Sequence, residues 1–529
     1  MLELIGLFLF LEDRFRRAAG WPLELTVWPL LCAVCLSSSI TLAPPPLRQP
    51  AALLVGTAAG LLTFATILQH RYHGGVIPPW ARSQSPAVAE YRRGIIALVK
   101  PSDLLVFPGV VLFLGLFAVL DGQHRAGPGL VLGSWGVLLG KCLLREHPWS
   151  EPVRLRRLGV FATYLVSLLE HAAASRPATS AQIDRVEAFY TRRPAAGRDE
   201  LFGRCAGKNV VLIQAESLES FAVGRTVAGA PVTPFLERLS DRAAYYPELY
   251  DQTVQGESAD AEFAILNSLH PARRRPDLPR WASTRRFVAL PGILAEQGYE
   301  TIALDAQAGG IWCAHRLRPA YGFQRCVFGP GGRPVAPDDR FLEEVLDELS
   351  TLRSPFLAFL ATNSSHFPYA SRPRRGRHLG AYLEAIRRLD GALEQFLSQL
   401  LPDTLVVLYG DHSAYLDTDD EEWLVRNWGV RSPRRQLPLW ILGSPLVGRQ
   451  ARPAGQIDVA PTVLSLLGIE APRCFLGRSL LSSGPRPVVL PDGNAIGGSR
   501  SLAEEELAVS ELVVRCGLAR RVAYPGAPR

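Results

Sequence analysis

Ser258 lies in the segment GESADAEF (residues 256–263), where a glycine-containing stretch gives way to an apolar, helix-like run. A serine in this position commonly caps a helix, because its hydroxyl accepts a hydrogen bond from an unpaired backbone N–H. The same position also suits a nucleophile, because the helix dipole and the free N–H groups attract phosphate. The segment alone leaves both roles open.

Ligand-type side chains follow directly after three predicted strands. They are Glu216, His366, and the adjacent pair Asp411 and His412. Carboxylate, imidazole and hydroxyl groups together suit one divalent cation, Mn²⁺, Mg²⁺ or Zn²⁺. A cation held by Glu216, Asp411 and His412 would lower the pKa of the Ser258 hydroxyl, and attack of that hydroxyl on phosphorus would form a covalent phosphoserine.

An α/β domain is the fold that would bring these residues together. From about residue 205, short apolar runs alternate with helical patterns. We expect strands at 209–214, 300–304, 355–361, 404–409 and 437–442, and helices at 232–243, 258–269, 290–297, 339–351, 378–399 and 458–467. This alternation predicts a mainly parallel sheet covered by helices on both faces, with ligands bound beyond the carboxyl ends of the strands.

The sequence before residue 145 predicts an α-helical transmembrane part. Four apolar runs are long enough to cross a bilayer, at about 22–43, 51–69, 103–121 and 127–144. Residues 4–11 (LIGLFLFL) are apolar but shorter, which favours an interfacial helix or a short fifth span. We therefore divide the chain into a membrane domain (1–145), a juxtamembrane helical linker (146–204) and a catalytic domain (205–529).

The charge pattern bears on orientation and on partners. The net charge is +7, and Lys and Arg concentrate in 70–102 and 141–157. The positive-inside rule would place the catalytic domain in the cytosol. No basic block with interleaved aromatic residues is present, so we expect no nucleic-acid partner.

Several motifs, in one order along most of the chain, resemble the lipoteichoic acid synthase family of the sulfatase and alkaline-phosphatase superfamily. They are LVKPSDLLVF (98–107), KNVVLIQAESLESF (208–221), VTPFLERLSD (232–241), QTVQGESADAEFAILNSLHP (252–271), GYETIAL (298–304), SSHFPY (364–369), YGDHSAY (409–415) and GQIDVAPTVLSLLGI (455–469).

The resemblance implies an enzyme of the bacterial cell membrane that transfers glycerol phosphate from phosphatidylglycerol to a glycolipid or polyglycerolphosphate acceptor and releases diacylglycerol. It implies Ser258 as nucleophile, where the family has threonine. It also implies one divalent metal, usually Mn²⁺, held by residues that match Glu216, Ser258, Asp411 and His412. His366 matches a phosphate-contacting histidine and Trp312 a pocket tryptophan. The family's catalytic domain is extracellular, and we give this more weight than the charge pattern.

The departures from the family pattern lie in the substrate pocket. Trp312 is followed by Cys-Ala instead of Asn-Arg, so Ala314 stands where the family has a phosphate-binding arginine. His315 or Arg316 could substitute for it. Asp305 stands at a position that is often histidine, and Glu257 replaces the lysine before the nucleophile. The reaction type therefore carries over more directly than the substrate does.

Other functions remain open at this point. A sulfatase would need a C/S-x-P-x-R segment, whereas Ser258 is followed by Ala-Asp-Ala. A phosphoethanolamine transferase would need a fuller two-zinc set. A phosphoglycerol transferase acting on glycans, or a phosphodiesterase of lipid headgroups, fits the same residues. A membrane-anchored binding protein with a degenerate site is the alternative from another class.

Overall fold

The computed structural model describes residues 1–21, 27–73, 92–120, 128–144, 151–174, 177–193, 197–254, 258–272, 287–329, 337–369, 378–430, 436–484 and 487–524. These residues divide into two compact units, one made of the described residues up to 174 and the other of those from 177 onward.

The described residues of the first unit form seven α-helices. They are α1 (Leu2–Ala18), α2 (Val27–Leu42), α3 (Pro45–His73), α4 (Arg92–Leu98), α5 (Val106–Leu120), α6 (Pro128–Leu144) and α7 (Glu151–Ala174). Apolar side chains of α1, α3, α5 and α7 pack into one cluster, with Leu7, Phe8, Leu11 and Phe15 of α1 at its centre. Helix α7 lies within the predicted linker, yet its residues Leu155 and Val160 belong to this cluster.

Two helical segments of this unit are long and apolar enough to cross a membrane, Pro45–Arg71 and Pro101–Leu120. They coincide with the second and third predicted spans. The first and fourth predicted spans contain shorter apolar helices, Val27–Leu42 and Pro128–Leu138. The length and composition of these helices suggest association with a membrane, whereas the four-span arrangement and the domain boundaries stay predictions.

The second unit is built on a nine-stranded sheet. Its strands are β1 (Asn209–Ala215), β4 (Ala244–Tyr250), β5 (Glu300–Asp305), β6 (Arg325–Phe328), β7 (Phe356–Ala361), β8 (Thr404–Gly410), β9 (Gln436–Leu442), β10 (Gly448–Arg449) and β11 (Ala454–Gly455). The strand order is β10-β4-β9-β8-β1-β7-β5-β6, and β11 also pairs with β4. Two short hairpins lie apart from it, β2 (Thr226–Val227) with β3 (Ala230–Pro231) and β12 (Val488–Val489) with β13 (Ala495–Ile496).

The sheet is mainly parallel, as predicted. Strands β8, β1, β7, β5 and β6 run parallel to one another, and β9 runs antiparallel to both β8 and β4. All five predicted strands form. Strand β4 was not predicted, because Pro247 and Glu248 interrupt its apolar run. A register shift between Tyr246 and Leu249 accommodates that interruption.

Helices cover the sheet and make its central strands fully buried. In the described residues of this unit they are α8 (Ser180–Arg192), α9 (Pro234–Leu239), α10 (Ser258–Asn267), α11 (Leu290–Glu296), α12 (Ala314–Tyr321), α13 (Asp338–Ser350), α14 (Leu379–Ser398), α15 (Thr418–Trp428), α16 (Val459–Leu467), α17 (Arg500–Cys516) and α18 (Ala519–Ala523). Each predicted helix of this domain has a counterpart among them. Every residue of β1 and β8 is buried, which matches the continuous apolar runs that gave the prediction.

A tight backbone crossing sets the spacing of the strand ends. In the β1–β8 register, Ala215 pairs with Gly410, so Glu216 and Asp411 leave the sheet side by side. The chain after β1 then passes over Gly410. A Cβ atom at Gly410 would lie 1.9 Å from the backbone oxygen of Leu218, so the position has no room for any side chain.

We expect Gly410→Ala to lower the melting temperature of the purified protein in detergent, because the clash involves backbone that cannot move away cheaply. The cost should exceed about 2 kcal/mol of unfolding free energy. Gly391→Ala is the matched control: it lies exposed inside α14, with nothing within 4 Å of the added methyl group. There the change should be neutral or stabilising by up to about 1 kcal/mol. Equal melting temperatures for the two variants would contradict the close approach of the Leu218 backbone to Gly410.

Candidate active site

Helix α10 begins at Ser258 and carries its hydroxyl to the carboxyl ends of β1 and β8. The Ser258 hydroxyl donates a hydrogen bond to Glu216 Oε2 at 3.0 Å and lies 3.3 Å from His412 Nε2. Gln214 of β1 donates a hydrogen bond to the Ser258 carbonyl at 3.2 Å, which fixes the first turn of the helix. The hydroxyl therefore faces two of the predicted ligand residues.

Glu216, Asp411 and His412 form a compact buried cluster. One ligand atom from each lies within 4.8 Å of the other two. His412 Nε2 is 3.5 Å from Glu216 Oε1 and 3.6 Å from Asp411 Oδ2. The three side chains are at most 7 % exposed. This is a candidate metal site of carboxylate and imidazole ligands.

Hydrogen bonds with the backbone orient Asp411 and His412. Asp411 Oδ1 accepts hydrogen bonds from the backbone N–H groups of Ser217 and His412, at 2.7 and 2.8 Å. Among the described residues, Asp411 Oδ2 has no hydrogen-bond partner although it is buried. His412 Nδ1 donates to the Ser413 carbonyl at 3.0 Å, because a carbonyl can only accept. In the neutral imidazole, Nε2 then carries a lone pair that is directed toward both carboxylates.

The crowding of like charges perturbs the titration of this cluster. Burial and then the negative charge of Glu216 raise the pKa of Asp411 to about 7. Burial by itself would lower the pKa of His412, but the charges of Asp411 and Glu216 outweigh it and raise the pKa to about 9. Both shifts reflect an excess of negative charge that a bound cation would relieve.

His366 and Trp312 lie at two further edges of the site. His366 follows β7, and its Nδ1 donates to the Phe367 carbonyl at 2.5 Å. Burial lowers the pKa of His366 to about 4, so its imidazole is neutral at pH 7. Trp312 shares a cavity with Ser258 and adopts a left-handed backbone conformation with φ of 49°. The next residue, Cys313, is also left-handed, so this turn is held in an unusual shape beside the cavity.

His315 and Arg316 do not enter this cavity. Both side chains are exposed on α12, and His315 Nδ1 contacts the Gly309 carbonyl at 2.6 Å. Ala314, Leu317 and Arg318 of the same helix line the cavity instead. Glu257 lies outside the described residues.

The lining residues that the sequence analysis missed include Glu262, Gln307 and Arg318. Glu262 stands four residues after Ser258 on α10, and that spacing places both on one helix face. This spacing was a usable signal for Glu262. No such spacing marks Arg318. Three of the four residues 315–318 are histidine or arginine, so the sequence does not single out Arg318.

Comparisons with known proteins agree with this geometry. Residues 208–469 match the Sulfatase family model. The chain is 26 % identical over 493 residues to lipoteichoic acid synthase 2 of Bacillus subtilis, covering 84 % of this chain and 76 % of that protein. Its fold is similar to that of the lipoteichoic acid synthase LtaP from Listeria monocytogenes, with a TM-score of 0.50 and 20 % identity over 64 % of this chain and 97 % of that one.

A third similarity extends through the helical unit. The lipooligosaccharide phosphoethanolamine transferase EptA from Neisseria meningitidis, an integral membrane protein, matches 88 % of this chain and 95 % of its own, with a TM-score of 0.50 and 13 % identity. At this identity the likeness concerns the fold alone. The fold is thus an apolar helical part joined to an α/β domain of the sulfatase and alkaline-phosphatase type.

The second unit is a sulfatase-family domain, with its candidate metal site at the strand ends typical of α/β enzymes. Its similarity to lipoteichoic acid synthases makes the chain a lipoteichoic-acid-synthase-like enzyme.

We expect Mn²⁺ binding to release protons at neutral pH. The pKa values of Asp411 and His412 are both raised, so this pair holds protons more tightly before the ion binds than free side chains would. The binding enthalpy measured by calorimetry should therefore depend on the ionisation enthalpy of the buffer, and affinity should rise as the pH increases from 6 to 9. A buffer-independent enthalpy would contradict the assigned proton positions. Asp411→Asn should abolish detectable binding.

Proposed function

We propose that the enzyme is a metal-dependent phosphotransferase that moves glycerol phosphate from phosphatidylglycerol to a glycolipid or polyglycerolphosphate acceptor, through a covalent phospho-Ser258 intermediate. The observation that carries the proposal is the position of the Ser258 hydroxyl. It lies at the first residue of a buried helix, 3.0 Å from Glu216 and 3.3 Å from His412.

The residues present fit one divalent cation. The buried Asp411 Oδ2 has no hydrogen-bond partner among the described residues, and a cation would supply one. Glu216, Asp411 and His412, with the Ser258 hydroxyl, would hold it. Mn²⁺ is our first choice, with Mg²⁺ or Zn²⁺ as alternatives, because the set is mostly oxygen with one imidazole. When bound, the ion supplies Lewis-acid polarisation and a lower pKa for the serine hydroxyl.

The first chemical step is attack of Ser258 Oγ on the phosphorus of the lipid. A bond forms between Oγ and phosphorus as the bond from phosphorus to the diacylglycerol oxygen breaks. The proton lost by Ser258 ends on the diacylglycerol hydroxyl. In the second step a hydroxyl of the acceptor attacks phosphorus, Ser258 Oγ leaves, and the acceptor's proton returns to Ser258.

The chain's own groups prepare the nucleophile for this attack. Glu216 Oε2 accepts the hydrogen bond of the Ser258 hydroxyl, which increases the electron density on Oγ and orients its lone pair. The unpaired N–H groups of the first turn of α10 favour the negative charge of the phosphoryl group. His366 is neutral at pH 7, and its Nδ1 donates to the Phe367 carbonyl, which fixes the orientation of its ring beside the site.

The substrates imply a location. Phosphatidylglycerol is a membrane lipid, and the apolar helices of the first unit are suited to keep the enzyme beside it. We place the protein in a bacterial cell membrane as a multi-pass protein, with the catalytic domain on the extracellular side. Protease accessibility of the catalytic domain in intact cells tests this orientation.

We expect full-length wild-type enzyme in mixed micelles to release diacylglycerol from fluorescent phosphatidylglycerol when Mn²⁺ is present. The Ser258→Ala substitution should lower that rate at least about 1,000-fold, because it removes the attacking oxygen atom. Ser258→Thr keeps a hydroxyl and should retain activity. Mass spectrometry of the acid-quenched wild type should show a glycerophosphoryl adduct on Ser258.

The same assay separates the alternative functions. Release of a different headgroup would indicate a related phosphotransferase, and release without an acceptor product would indicate a phosphodiesterase. If wild type and Ser258→Ala were equally inert toward several lipid headgroups while both bound Mn²⁺, the enzyme would be a degenerate binding protein and the proposal would be wrong.

A further inference from the structure

A buried arginine lies in the cavity that opens beside the nucleophile. Arg318 of α12 and Ser258 line the same cavity, and the Arg318 side chain is 2 % exposed. Its Nε and Nη2 donate to both oxygens of Glu262, at 3.1 and 3.0 Å. Its Nη2 also lies 2.6 Å from Asp305 Oδ2. Two carboxylates therefore hold the guanidinium group in one orientation.

One nitrogen of this guanidinium group is buried without an acceptor in the part of the chain that the structure describes. Among the described residues, the buried Arg318 Nη1 has no hydrogen-bond partner. The guanidinium group otherwise contacts the rings of Phe328 and Phe359, with its carbon 5.4 and 5.1 Å from their centroids. A buried N–H group without an acceptor is costly, and so it indicates that a ligand supplies the acceptor.

The residues on the same helix place the guanidinium group beside the cavity. Ala314 precedes Arg318 by four residues, so the two side chains lie one above the other on α12. Both line the cavity, and the methyl group of Ala314 is too short to cover the guanidinium group. On the nucleophile's side, Glu262 lies one helical turn after Ser258. The cluster of Glu262, Asp305 and Arg318, which we call the headgroup cluster, is therefore adjacent to the reacting oxygen.

The charges of the headgroup cluster select the chemistry of the ligand. Two carboxylates and one guanidinium give a net charge of −1, which disfavours a second anionic group of the substrate. An ammonium group has no acceptor to offer Arg318 Nη1. A hydroxyl group can accept from Nη1 and at the same time donate to a carboxylate oxygen of Asp305 or Glu262. A hydroxylated headgroup is the class that satisfies both.

We propose that Arg318 is the specificity-determining residue of this enzyme, and that its Nη1 donates a hydrogen bond to a hydroxyl oxygen of the lipid headgroup while Asp305 accepts from the same hydroxyl. The inference rests on the proposed transfer of a lipid headgroup to Ser258. It assigns to Arg318 the contact that the sequence had left to His315 or Arg316.

The test compares a hydroxylated headgroup with one that lacks hydroxyls. We expect the full-length enzyme with Mn²⁺ to show a kcat/KM for phosphatidylglycerol at least about 10-fold above that for phosphatidylpropanol, which has the same carbon number in its headgroup. Arg318→Lys keeps the positive charge between Glu262 and Asp305 but removes Nη1. It should lower kcat/KM for phosphatidylglycerol to near the phosphatidylpropanol value and leave the latter within about two-fold of wild type.

Two further variants separate this role from a structural one. Arg316→Lys, on the exposed side of the same helix, should leave both values unchanged. Asp305→Asn keeps an oxygen acceptor of the same shape but removes its negative charge. It should therefore reduce the preference for phosphatidylglycerol several-fold. Thermal unfolding of each variant reports whether the headgroup cluster still folds.

The outcomes distinguish this inference from the proposed function. If wild type releases no diacylglycerol from either lipid, the proposed function fails. If wild type prefers phosphatidylglycerol and Arg318→Lys and Asp305→Asn both keep that preference, or lower the two kcat/KM values by the same factor, then Arg318 is only a structural residue and the inference is overturned.

Discussion

The rest of this enzyme depends on one constraint, which is that two carboxylates and an imidazole are held together in a buried site. Glu216 and Asp411 are almost completely buried, and the sheet places them side by side. Burial and the negative charge of Glu216 raise the pKa of Asp411, and the negative charges of both carboxylates raise that of His412. Two buried carboxylates are unfavourable without a nearby positive charge, and they therefore favour the binding of a cation between them.

The scaffold supplies the rigidity that keeps these groups close. Strands β1 and β8 are buried along their whole length, so neither can relax outward to separate the carboxylates. The absence of a side chain at Gly410 lets the chain after Glu216 cross directly over the end of β8. Backbone N–H groups of Ser217 and His412 then fix one oxygen of Asp411 and leave the other directed into the cluster.

The central sheet and its reactive edge could be predicted from the sequence because both depend on local patterns. Buried parallel strands are continuous apolar runs, and the polar residue after each run marks the sheet edge. Strand β4 lacked this signal because Pro247 and Glu248 fall at its bulge. The headgroup cluster was also hidden, because Glu262, Asp305 and Arg318 come from three elements and their meeting depends on packing. His315 and Arg316 had suitable side chains, but the helical phase of α12 turns them to solvent.

The separation of these two clusters has a chemical consequence. The cluster around Ser258 has no group that distinguishes one lipid headgroup from another, since a metal and a helix N-terminus interact with any phosphoryl group. The headgroup cluster has no hydroxyl or thiol to attack phosphorus, and its two carboxylates are held by Arg318. Ser258 and Glu262 share one helix face, which couples the two clusters through α10 alone. Changes on α12 and at the end of β5 can therefore alter the substrate while the metal ligands and the nucleophilic hydroxyl stay the same.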